Sequence, residues 1–274
     1  INLKAVSFIP VVARLAIEFG CFDDKLRGGL LCHITYPYDD SNVLQNLMDS
    51  DFPEIHNRDH HEHIDDMYLQ VLIHLRQIGL LKKEDIQRYD LLHKICRISN
   101  YFAEKRFRFL VEWDPAALTQ TVTQTIGNNR FIPLHFAAIY STLQGFRVVF
   151  EYGIRYYPKK KGICLLFKKN NFHISPFQIA CGPYKGMSTR GNKMSTINDT
   201  LLDCQRRRRR HSEEDEDEDD SNTSGPYNIV DALVTAAIDE NIHLDCVYFL
   251  IRREPDILQK LLLSKQTVVA ATTV

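Results

Sequence analysis

Ile132-Pro133-Leu134-His135-Phe136-Ala137-Ala138 is the stretch on which the fold turns. It reads as the start of a short helix. Proline takes the first helical position, where its missing N–H costs nothing; a large apolar anchor follows, and two small residues come one turn on. Diluted copies lie on both sides. Leu91-Leu92-His93-Lys94-Ile95-Cys96, Pro133 to Ala138, Pro176-Phe177-Gln178-Ile179-Ala180-Cys181 and Ala232-Leu233-Val234-Thr235-Ala236-Ala237 can be laid over one another. The second column is large and apolar (Leu92, Leu134, Phe177, Leu233) and the sixth is small (Cys96, Ala138, Cys181, Ala237). Large-then-small columns let one helix wedge closely against its neighbour. Asp90, Ser175 and Asp231, directly before three of the windows, are residues that cap a helix N-terminus.

Leu91, Pro133, Pro176 and Ala232 open these windows at spacings of 42, 43 and 56 residues. A second match is independent of the first. Phe109-Leu110-Val111-Glu112-Trp113-Asp114-Pro115 and Phe249-Leu250-Ile251-Arg252-Arg253-Glu254-Pro255 share the pattern F-L-[V/I]-x-x-[D/E]-P, and each places Leu three residues further on, at Leu118 and Leu258. These are predicted second helices, stopped by the acid–Pro step. Phe146 to Gly153 is their counterpart in the middle unit, with Gly153 as its stop. Repeated helix pairs imply an all-α solenoid of stacked antiparallel pairs, each burying one face against the next.

The pattern resembles the ankyrin repeat, written T-P-L-H-x-A-A followed by a second helix with V-V-x-x-L-L and a glycine. Ile132 to Ala138 and Arg147-Val148-Val149-Phe150-Glu151-Tyr152-Gly153 carry the resemblance, which extends in part over residues 86–263. Ile132 stands where the family has Thr, and the units are longer than the family's roughly 33 residues. HEAT and armadillo repeats have the longer period but do not account for P-L-H-x-A-A. The resemblance implies a non-catalytic scaffold that binds a protein partner. It also gives His93 and His135 a structural role, bonding the turn of a neighbouring repeat.

The N-terminal part, residues 1–85, is expected to form helices that cap the array. Ile9, Val12, Leu15, Ala16 and Phe19 fall at helical spacing between Ser7 and Gly20, and Arg27-Gly28-Gly29 reads as a turn between helices. Asp39-Asp40-Ser41-Asn42 is a cap-type cluster before a short helix with Val43, Leu44, Leu47 and Met48. Residues 49–62 read as a polar loop. Its His56, His60 and His61, with His63, lie among acids, but His spacing alone fixes no coordination sphere, so a solvated loop and helix start is expected rather than a metal site. Ile64 to Ile78 is a clear amphipathic helix closed by Gly79, and Lys82-Lys83-Glu84-Asp85 a polar connection.

Composition narrows the function classes. Lys plus Arg number 34 and Asp plus Glu 35, so no global field draws the chain to nucleic acid or membrane. With 44% hydrophobic residues the 274-residue chain can bury a large core. Seven cysteines (Cys21, Cys32, Cys96, Cys164, Cys181, Cys204, Cys246) are scattered with no C-x-x-C pair. They suggest thiols that are for the most part buried and inert, in a reducing compartment, hence an intracellular location, cytoplasmic or nuclear. No run approaches a membrane span, and Phe8 to Ala13 lacks the features of a secretory signal.

The loops hold the remaining candidates. Tyr156, Tyr157 and Lys159-Lys160-Lys161 precede the apolar run Ile163 to Phe167, which reads as a strand-like edge or part of a hairpin. Residues 205–226, with Arg206 to Arg210 followed by acids from Glu213 to Asp220, have no apolar anchor and are expected to be a disordered insertion; residues 264–274 read as a flexible tail. Aromatic and Arg anchors supply most interface energy. The expected partner contacts are therefore loop residues Asn128, Asn129, Arg130, Tyr156, Tyr157 and Lys160. The alternative is a nuclear or nucleic-acid-associated protein using the two basic runs. No nucleophile elbow, phosphate loop, zinc-protease or dinucleotide motif is present, so neither catalysis nor a cofactor is expected.

Overall fold

Proline at Pro133 and an apolar residue after it do start a helix, and the same device recurs along the chain. The computed structural model describes residues 3–36, 39–49, 58–97, 101–122, 129–157, 162–181, 193, 195–201, 203 and 229–259. They are mostly helical, with one short antiparallel hairpin. The chain divides into two units, Ile1–Val148 and Val149–Val274. The charged insertion at 205–226 and the tail at 264–274 lie outside the described residues, as do Arg206 to Arg210 and Lys159 to Lys161.

The first unit begins with α1 (Leu3–Val6) and α2 (Ile9–Glu18), followed by the hairpin β1 (Ile34–Tyr36) and β2 (Asp39–Ser41). Then come α3 (Val43–Asn46), α4 (Arg58–Gln77), α5 (Lys83–Arg88), α6 (Leu91–Cys96), α7 (Glu104–Trp113), α8 (Pro133–Ile139) and the start of α9 (Leu143–Tyr156). Helices α3, α6 and α8 pack in a row, each on the next, while the longer α4 and α7 pack side by side. Between the rows lie Leu44, Leu47, Met48, Tyr68, Leu72, Leu92, Ile95, Phe107 and Leu110, all buried. Helix α3, ahead of the four windows, thus shares its core with α4, α6 and α7.

Several local expectations are corrected. Helix α4 begins at Arg58, six residues before Ile64, so His60, His61 and His63 sit on helix rather than in a loop. Lys83 to Arg88 is a helix of its own, not a connection. Asp90 does not cap α6: its backbone is left-handed (φ 51°) and its side chain bonds no helix N–H. Helix α9 runs through Gly153 to Tyr156, because Gly153 serves packing there; a Cβ would stand 3.1 Å from Leu165.

In the second unit the buried 3₁₀ helix Gly162–Phe167 packs against α10 (Pro176–Cys181), α12 (Ile229–Ile238) and α13 (Asp245–Arg253); α11 covers residues 195–201. The apolar run Ile163 to Phe167 is thus a buried helical turn, not a strand edge. A run buried on every side carries no period that separates the two. Phe167, Phe177 and Phe249 form an aromatic cluster with ring centroids 4.8 to 5.8 Å apart. Helix α12 starts three residues before the window Ala232 to Ala237, so Asp231 lies in its first turn rather than at its cap and Ala237 is exposed instead of buried.

Candidate functional site

The short first helices are tied to their own starts by one side chain three positions in. Gln45 Oε1 accepts from Asn42 N (3.0 Å), His135 Nδ1 from Ile132 N (3.1 Å) and Gln178 Oε1 from Ser175 N (3.1 Å). Asn42 and Ser175 reciprocate by accepting from Gln45 N and Gln178 N, which completes a capping box. Side chains at the same helical position also reach forward. Gln45 Nε2 donates to Tyr89 O (3.2 Å), and His93 Nε2 lies 3.0 Å from Gln120 O and 3.2 Å from Phe131 O. Tyr89 directly precedes Asp90, and Phe131 directly precedes Ile132. Each bond therefore fixes the chain just ahead of the next first helix. Gln178 Nε2 instead lies 3.0 Å from His243 Nε2.

Carbonyl oxygens only accept, so Nε2 of His93 carries the proton. Burial pushes its pKa down to about 4, against which the two carbonyl bonds work, and the ring is neutral at neutral pH. Phe136 meets it edge-on at 5.6 Å. The loops ahead of the first helices close on themselves: β1 pairs with β2 before α3, Val122 N donates to Phe131 O before α8, and Asn170 N donates to Ile174 O before α10.

The repeat-motif residues are placed as follows. Pro133, Leu134, His135, Ala137, Ala138, Leu92, His93, Cys96, Pro176, Ala180, Leu233 and Ala236 are buried, while Phe177 is half-buried in its aromatic cluster. Among the expected partner contacts, Asn128 and Lys160 lie outside the described residues. Arg130 is exposed with a left-handed backbone (φ 53°), and Asn129 beside it is half-buried. Tyr156 belongs to the last turn of α9, not to a loop, and stacks on Tyr152 at 5.7 Å. Tyr157 is half-buried, and burial raises its pKa. The structure places Asn129 and Arg130 in the first unit and Tyr156 and Tyr157 in the second.

What it does form is a groove of about 1210 Å³ along α4 and α7. Residues one turn apart line it: Glu62, Asp65, Leu69 and Ile73 from α4, and Lys105, Arg108, Phe109 and Glu112 from α7, with Tyr101 and Gln144 nearby. Tyr101 stacks on His61 at 5.1 Å. Its phenol is pushed up to about 12, first by burial and then by Asp65 and Glu62, and stays a neutral donor. Arg108 pairs with Glu104 (3.0 Å) and Arg58 with Glu62 (2.8 Å) on the exposed rim.

Below the groove Arg106 Nε meets Asp65 Oδ1 at 2.7 Å, both side chains fully buried, and its Nη1 donates to Leu47 O and to Asp49 O. Lys105 N donates to the second Asp65 oxygen at 3.0 Å. This pair holds α4, α7 and the end of α3 together. Sequence reasoning missed Gln45, Asp65 and Arg106; for the last two the signal was a charge at a core position of an amphipathic helix.

Among the described residues no His, Cys, Asp and Glu group could hold a metal ion, no helix is long and apolar enough to cross a membrane, and none of the six cysteines is in a disulfide. No family model, no curated protein and no solved structure matches the chain.

Proposed function

We propose that this chain is a non-catalytic scaffold of ankyrin-like helix pairs that binds a protein partner inside the cell, in the cytoplasm or nucleus. The observation that carries the reading is the recurring forward bond from Gln45 to Tyr89 O and from His93 to Phe131 O. The resemblance assigns that linkage to the motif histidine, and it recurs here one helix pair earlier on a glutamine. Stacked pairs of this kind leave extended grooves for partners. The α4–α7 groove offers Tyr101, Phe109 and Arg108, residue types that dominate interface energetics.

The test is affinity capture from native lysate at physiological and at high salt, with the bound species identified by mass spectrometry. The full chain is compared with Tyr101→Ala and Arg108→Glu. A stoichiometric protein retained at both salts, and held about 30-fold more weakly by either variant, is the expected outcome. Nucleic acid lost at high salt, with no protein retained, would instead support the basic-run reading and sink this one.

A further inference from the structure

Helix α2 buries only Pro10 and Ala13. Most of the other apolar residues on and beside it face outward. Phe8, Val12, Leu15 and Phe19 are 60, 59, 43 and 77% exposed, and Val11 widens the same strip. The helix is nevertheless firmly seated. It packs on α4, and the turn after it is held by Gly28 (φ 64°), whose Cα lies so close to the Ala13 carbonyl that no Cβ fits. The direction of the exposed strip is therefore set by the fold.

Spacings of four, three and four residues are those of a helix–helix seam. They read the same in both directions, so an identical strip running antiparallel brings Phe8 to Phe19 and Val12 to Leu15. That is the self-complementarity a two-fold interface requires. We propose that α2 pairs with α2 of a second copy of this chain.

The area agrees. A whole aromatic side chain presents roughly 150–250 Å², so the exposed fractions amount to roughly 500 Å² of apolar surface, the upper range of the largest patch on a monomer. Two copies together bury roughly 1,000 Å² through these side chains, the size at which a specific interface begins. Charge does not oppose the pairing. The net charge is −1, and the border of the strip carries one cation and one anion, Arg14 and Glu18, paired at 3.0 Å.

The test is sedimentation of the full chain over about 1–100 µM, the range in which an interface of this size is resolved. The mass is expected to rise from one copy to two. Val12→Glu and Phe19→Glu should each hold it at one copy with an unchanged far-ultraviolet dichroism spectrum. If either disturbs that spectrum, Val12→Ser and Phe19→Ser replace them. Leu143→Glu, at an exposed apolar site (45%) on α9, should leave the dimer intact. Four results overturn the proposal: a monomer throughout, a dimer indifferent to the α2 variants, a dimer equally broken by Leu143→Glu, or a monomer whose α2 strip captures a different protein.

Discussion

His93 tests the linkage between helix pairs most directly. It is buried, its Nε2–H is shared between Gln120 O and Phe131 O, and its pKa is lowered from 6.5 to about 4. The unfolded chain binds this proton more readily than the folded one, so the neutral ring contributes stability that is complete above pH 6.5 and is lost as pH falls toward 4. At about 1.4 kcal/mol per pKa unit, that is roughly 2 kcal/mol by pH 5 and about 3 kcal/mol below pH 4. The structure also names its replacement. Glutamine occupies the same helical position in α3 and α10, in both with its oxygen toward its own cap, and in α3 its nitrogen bonds the carbonyl ahead of the next helix. His93→Gln should therefore stay within about 1 kcal/mol of the parent at pH 7.5 and lose the parent's extra slope between pH 6.5 and 4. His93→Ala takes the side-chain donor from Gln120 O, leaves Phe131 O with Val122 N alone and opens a small cavity, for about 2–4 kcal/mol at every pH. Urea unfolding followed by fluorescence reports on the right unit, because the sole tryptophan, Trp113, closes α7 under the Arg76 guanidinium (4.2 Å). A His93→Gln protein with the parent's full pH slope, or a His93→Ala protein as stable as the parent, would refute the reasoning.

Two further perturbations separate stabilising contacts from incidental ones. Asp65→Ala strands the Arg106 guanidinium in the core without its counter-ion; it should cost about 3–5 kcal/mol in the same urea assay, against under about 1 kcal/mol for Glu104→Ala, which breaks an exposed pair. A loss below 1 kcal/mol for Asp65→Ala would mean that the pair does not hold α4 to α7. Gly162→Ala puts a Cβ into the backbone of Gly153 and Ile154, so the second unit should lose about 2–3 kcal/mol by thermal melting. Gly79→Ala meets nothing at its left-handed position (φ 74°) and should cost only about 1 kcal/mol; equal losses at the two glycines would contradict the packing argument.

The parts of the fold legible in the sequence are those set by local chemistry. Asp114 and Glu254, matched from the acid–Pro step alone, end their helices with φ/ψ of −134°/82° and −134°/81°. Each also accepts from the backbone three residues on, Ala117 N and Ile257 N. Proline imposes that geometry on the residue before it, so the sequence is enough. Asp90 shows the limit. A cap-type residue before an apolar run is also a residue that tolerates a left-handed backbone, and the choice between the two is made by α5 ending two residues earlier, at Arg88, which no local pattern encodes. The Asp65–Arg106 pair is further out of reach. Each charge breaks the apolar stripe of its own helix, and only their meeting across 41 residues makes burial tolerable.

The same distinction bears on what counts as a repeat here. Asn42 to Met48 escapes a search keyed on a histidine and a small sixth residue, because it has Gln45 and Met48 instead. Yet Gln45 combines in one amide the two bonds that His135 makes to Ile132 N and His93 makes to Phe131 O. An acceptor atom closes on the residue three before it, and a donor atom at similar reach bonds the carbonyl ahead of the next helix. The two forward bonds span 44 residues from Gln45 and 38 from His93. The intervening loop can therefore differ in length while the linkage stays the same, since doubling a flexible loop costs only about 0.6 kcal/mol of closure entropy. On this argument the spacing of 42 to 43 residues does not count against an ankyrin-like scheme. The chemistry of the third helical position decides, and replacing Gln45 by His is the substitution that should leave this chain unchanged if the argument holds.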